Sequence, residues 1–192
     1  MSFFGAEGFQ LVLLRRMADF QPVLVERARA GMGYTATEMR EVNAGWQRFI
    51  RSKSSPRGVK RYTTVLGEQA AIREQRTGDL TCRLHHWALP LWPELLFEAV
   101  EGPGGGVWQE WLVRSPDSTP PEVSASGELD VWKYVVGDLE RMFAEVRHLP
   151  EDAPNRWASQ FAATGADGVV RRQRATFTYG LLQETADVDA SV

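Results

Sequence analysis

Apolar positions in the first quarter of the chain recur at helical spacing. Between Phe9 and Ala30 the residues Phe9, Val12, Leu13, Met17 and Phe20 form one stripe, although Phe9, Leu11 and Leu13 also fit strand alternation. We read a helix, with Pro22 opening a second short one that stops before Gly31 and Gly33. Thr35 followed by Glu38 makes a capping box. Met39, Val42, Trp46, Phe49 and Ile50 then predict a helix from about Thr37 to Ser52, which completes an N-terminal helical part over 5–53.

From Val59 to Arg114 the period changes to two. Tyr62, Thr64 and Leu66 alternate, and so do Leu80, Cys82 and Leu84 after the Gly78-Asp79 turn, which predicts a β-meander over 59–114. Its clearest part is a hairpin, with Glu94–Glu101 and Val107–Arg114 joined by Gly102-Pro103-Gly104-Gly105-Gly106. A Pro/Ser-rich loop spans 115–127. Leu129, Trp132, Val136, Leu139, Phe143 and Val146 then step by three and four, predicting a long amphipathic helix over 128–148. A short helix at Asn155–Ala163, a strand over 169–182 and an acidic tail over 184–192 complete the reading. Consecutive strands flanked by helices, without βαβ alternation or internal repeat, predict one α+β domain over 1–192 with a mainly antiparallel sheet.

Composition places the chain among globular proteins: of 192 residues, 43% are hydrophobic and 24% charged. Arg15 and Arg16 interrupt the apolar N-terminal stretch far below the roughly 20 residues a membrane span needs, and no secretory signal is visible, so no membrane partner is expected. The single cysteine, Cys82, cannot close an internal disulfide and points to a reducing, cytoplasmic compartment. Nineteen arginines against three lysines suggest a bacterial source. Charge is uneven. Residues 1–66 hold eleven basic and five acidic residues, whereas 67–192 hold eleven and twenty, an asymmetry that favours self-association or an oppositely charged partner.

Candidate chemistry is sparse. A five-residue loop at Gly102–Gly106 would set Glu101 opposite Val107 and Glu98 opposite Glu110, a carboxylate pair suited to acid–base work beside His85; Arg73, Arg83 or Arg174 would neutralise it if it is merely structural. A four-residue loop would separate the pair instead. Adjacent His85 and His86 point to opposite faces of a strand, so they cannot share a metal, and neither a metal site nor a cofactor is expected. Trp87, Trp92, Trp108 and Trp111 cluster around the hairpin and supply aromatic surface for a partner or ligand, while Trp46, Trp132 and Trp157 read as core.

Arg48, Arg51, Lys53, Arg57, Lys60 and Arg61 form a stretch that no acidic residue interrupts between Glu41 and Glu68, with Arg171, Arg172 and Arg174 as a distant extension. Such a stretch can track phosphates, yet cations at a helix C-terminus also serve its dipole, and no nucleic-acid-binding motif accompanies them. Without a catalytic motif, the sequence reads first as a non-catalytic module binding another protein or itself. A small-molecule pocket near Glu98, Glu110 and His85 comes second, and nucleic acid or phosphate at 48–61 third.

Overall fold

The computed structural model describes residues 3–123, 128–150, 153, 155–165 and 167–188. It contains five helices and two four-stranded antiparallel sheets among them, an α+β fold. The described residues divide into two compact units, Met1–Glu110 and Trp111–Val192.

In the first unit α1 (Gly5–Met17) is buried on nearly every side, from Gly8 through Leu14 and again at Met17. That explains its ambiguous pattern: a helix enclosed by neighbours has no polar face to mark the 3.6-residue period. Helix α2 (Pro22–Gly31) begins on Pro22. Helix α3 (Ala36–Arg51) starts with the expected capping box, as Thr35 Oγ1 accepts from the Glu38 N–H and the Glu38 carboxylate accepts from the Thr35 N–H.

Val59–Leu66 is helix α4, not the first strand of the meander. Val59, Tyr62 and Val65 are its buried positions, a spacing of three, while Thr64 is exposed. Thr63 and Thr64 donate their hydroxyls to the carbonyls of Val59 and Lys60, keeping two β-branched residues inside the helix. The meander therefore starts later, at β1 (Ala71–Thr77), and continues through β2 (Leu80–Ala88), β3 (Leu95–Glu101) and β4 (Val107–Arg114) in the order β1-β2-β3-β4. The helices cover one face of this sheet by ring contacts: Phe9 to Phe97 at 4.9 Å, Tyr62 to Phe97 at 5.3 Å and Tyr62 to Trp87 at 6.0 Å.

The second unit departs furthest from expectation. The helix predicted over 128–148 is reduced to α5 (Val136–Met142), and the chain enters β5 (Val146–Leu149) after it. Trp132 sits at φ 64°, outside any right-handed helix, and Phe143 at φ −122°, ψ 137° is already extended. Asp138 accepts the N–H of Val135 and starts the helix there. The expected helix at 155–163 is strand β6 (Arg156–Thr164), since pairing along both edges outweighs the helical preference of its alanines.

The strand expected over 169–182 is two, β7 (Val170–Thr178) and β8 (Leu181–Asp187), so Glu184 of the supposed tail lies in a strand. Tyr179 (φ 49°) and Gly180 (φ 73°) form the two-residue turn, in which both central residues need positive φ. A Cβ on Gly180 would stand 2.7 Å from the Leu112 carbonyl oxygen, which is why glycine occupies it. The sheet order is β5-β6-β7-β8, and its core gathers Tyr134, Val136, Leu139, Phe161, Phe177 and Leu182. Residues 124–127 of the Pro/Ser loop and 189–192 of the tail lie outside the described residues.

Candidate functional site

The hairpin is closed as the glycine spacing implies, with the Gly102 N–H donating to the Gly106 carbonyl at 2.9 Å and the Gly105 N–H to Gly102 at 3.1 Å. A Cβ on Gly102 would lie 2.0 Å from the Trp108 indole, so that ring rests directly on the glycine backbone. Trp108 is nonetheless 57% exposed. One indole face is fixed by the turn and the other is free, which is unusual for so large an apolar side chain.

The other hairpin tryptophans play different parts. Trp87 and Trp92 are buried; Trp87 donates Nε1–H to the Gly67 carbonyl at 3.1 Å. Trp111, in the second unit, is half-buried against Trp157 with ring centres 5.6 Å apart. Of the three expected core tryptophans Trp46 is buried, whereas Trp132 and Trp157 are half-buried.

Part of the basic segment belongs to the same end of the first unit as the hairpin loop. A Cβ on Gly58 would stand 2.6 Å from the Gly105 carbonyl oxygen, so the two backbones touch there. Gly58 carries φ 59°, a conformation that favours glycine, and it leads into α4. Arg57 and Lys60 flank the contact and are exposed, as are Arg48, Arg51 and Lys53; Arg61 is half-buried, with a buried Nε that has no hydrogen-bond partner among the described residues.

The carboxylate–histidine cluster is arranged differently from expectation. His86, not His85, stands directly opposite Glu98, and His86 Nε2 meets Glu98 Oε2 at 2.7 Å, both side chains buried. His85 lies on the other face of β2, where Nε2 meets Glu101 Oε2 at 2.9 Å and Arg83 Nε reaches the same oxygen at 2.9 Å. Sheet alternation is the reason, since neighbours on a strand cannot serve one site. Each pair is a histidine donating to a carboxylate, and the Nδ1 of both rings is buried without a partner among the described residues.

Glu110 has no hydrogen-bond or ion-pair partner among the described residues. Burial pushes its carboxyl up to about 6, against a smaller opposing pull from the Arg61 charge. Cys82 is buried and free, which leaves its thiol out of reach of reagents. No group of three or more His, Cys, Asp or Glu side chains is placed to hold a metal ion among the described residues.

One constellation escaped the sequence reading. His148 Nδ1 accepts from the Ser159 hydroxyl at 2.9 Å, and its Nε2–H donates to Glu140 Oε1 at 2.7 Å. A serine, a histidine and a carboxylate thus line up, brought together by α5, β5 and β6. Ser159 is 0% exposed, however, and no acyl carbon can approach an oxygen so enclosed. The relay ties helix to sheet. Nothing in the sequence marked it, because 129–146 and 155–163 both read as helices, whereas the contact depends on His148 facing Ser159 across two strands.

No helix among the described residues is long and apolar enough to cross a membrane. No family model matches the chain, and no curated protein matches it. Among solved structures it is similar, at a TM-score of 0.29 and 10% identity, to a crystal structure described as a "putative beta-lactamase inhibitor protein" from Streptococcus mutans. The match covers 73% of this chain and 88% of that one. A likeness at that TM-score carries no argument about what this chain does.

Proposed function

We propose that the chain is a non-catalytic interaction module of a bacterial cytoplasmic system, binding another protein or a second copy of itself through the tip of the β3–β4 hairpin. The observation that carries this reading is Trp108, 57% exposed yet pinned on Gly102. A large aromatic that is already ordered loses little conformational entropy on binding, and tryptophan and arginine are the residues that most often anchor protein interfaces. Arg57 and Lys60 beside the Gly58–Gly105 contact add cationic neighbours, which favour an acidic partner surface. The reading of an enzyme pocket at Glu98, Glu110 and His85 has less support, since His85 and Glu98 occupy opposite faces of the sheet.

The test compares wild type with Trp108→Ala. Truncating an exposed side chain should leave the melting temperature within a degree or two. Proteins captured on the immobilised chain, or its own association measured by sedimentation, should be lost about tenfold or more in the variant. A wild type that stays monomeric and captures nothing, or a variant that retains the same partners equally well, sinks the reading. Binding of mixed-sequence oligonucleotides at low salt, abolished by Arg57→Gln with Lys60→Gln, would replace it with nucleic-acid recognition.

A further inference from the structure

The second unit carries a hollow of about 410 Å³ that is independent of the hairpin. It forms where β5 begins. The first β5 residue, Val146, pairs with Phe161, so among the described residues the β5–β6 register stops short of Ala162, and Ala144 and Glu145, which precede the strand, line the hollow. The notch is lined in part by Ala162, whose side chain is a single methyl group. Its volume lies within the range of small-ligand sites.

Cross-strand register decides what faces the hollow. Arg147 lies opposite Gln160, and Ala162 lies opposite Arg172, so all four residues share one sheet face. Both arginines and Gln160 line the cavity, with Glu145 as its acidic member. Arg114 pairs with Asp138 and Arg171 with Asp167, whereas the Arg147 and Arg172 guanidiniums, and the Gln160 amide, have no hydrogen-bond or ion-pair partner among the described residues. Two cations and an amide donor therefore converge on one concave space with all their donors unspent.

We infer that this hollow is a binding site for a small oxyanion-bearing ligand, carrying a carboxylate or a phosphate. Arg147 and Arg172 clamp the oxyanion from β5 and β7, the planar guanidinium fork being suited to two-point contact with either group. The Gln160 amide between them donates a further hydrogen bond. Glu145 leaves the lining with a net charge of one positive, which favours a ligand that also presents a hydroxyl or amino donor to that carboxylate.

The full chain, in a buffer free of carboxylate and phosphate, is titrated separately with inorganic phosphate and with succinate, followed by backbone amide NMR. Saturable shifts confined to residues 144–147, 160–162 and 172 are expected, and the anion that saturates first identifies the group recognised. Arg147→Gln and Arg172→Gln should each weaken binding about tenfold, while Arg51→Gln leaves it unchanged. Trp108→Ala should also leave it unchanged, so failure of the hairpin reading and failure of this one are told apart. Absence of saturation with both anions, or an affinity in both arginine variants equal to that of wild type, overturns the site.

Discussion

The two units solve one problem by different means. Each must cover one face of a four-stranded antiparallel sheet. The first does so with four helices and a chain of aromatic rings in which Phe9, Tyr62, Trp87 and Phe97 touch one another. The second has, among the described residues, a single helix of seven residues and relies on a fully enclosed ion pair, Arg114 with Asp138, whose side chains are 2% and 0% exposed. Asp138 Oδ2 meets Arg114 Nη2 at 2.7 Å and also accepts the Val135 N–H at 3.0 Å, while Arg114 Nη2 donates to the Lys133 carbonyl at 2.6 Å. Where apolar cover is thin, a hydrogen-bonded charge pair fixes the segment that leads into the helix. Apolar packing tolerates small changes of shape, whereas a buried charge tolerates no loss of its partner.

The sharpest way to break the comparison is Asp138→Ala. It strands a buried guanidinium and removes the acceptor for Val135, at an expected cost of about 3–5 kcal/mol read from denaturant midpoints. The double variant Arg114→Met with Asp138→Leu should recover most of that loss, because no charge remains to be desolvated. If the double variant is as unstable as the single one, the pair's geometry rather than its charge is what the unit needs.

In the first unit the matching experiment is Phe97→Ala, at a fully buried position touching three other rings, with an expected cost of about 3–5 kcal/mol. Phe97→Leu should regain much of it by refilling volume, which no single change can do for Asp138. Equal stability of the Ala and Leu variants would mean that ring contacts, not filled space, hold the helices on the sheet.

The same division governs how much the sequence disclosed. Thr35 and Glu38 announced α3, and five residues from Gly102 to Gly106 announced the hairpin, because caps and turns are local chemistry. The 129–146 stripe misled. Leu129, Val136, Leu139, Phe143 and Val146 do share one apolar core, but they reach it from a loop, a short helix and a strand rather than from one helix. Periodicity reports which residues face inward and leaves the path between them to tertiary contacts. His86 rather than His85 opposite Glu98 was decided by strand register, which two adjacent histidines cannot reveal. The exposure of Trp108 follows from a ring resting on Gly102, a contact between positions six apart that composition does not show.

The mildest contrast sets a half-buried acid of the first unit, without a hydrogen-bond or ion-pair partner among the described residues, against the paired one of the second. Glu110 has its carboxyl raised from 4.5 to about 6, chiefly by burial, so the folded protein holds that proton more tightly than the unfolded chain does. Stability from this group is therefore fully present below about pH 4.5, falls as pH rises towards 6, and is level above about 7. The total change is at most about 2 kcal/mol, since one pKa unit corresponds to about 1.4. Glu110→Gln should be as stable as wild type near pH 4 and more stable at pH 7.5, by up to that amount, in paired denaturation curves. Arg61→Gln should widen the gap by removing the positive charge that opposes the shift. Curves of wild type and Glu110→Gln that stay parallel from pH 4 to 8 would mean that the carboxyl is solvated, and that the first unit buries no unpaired acid at this position.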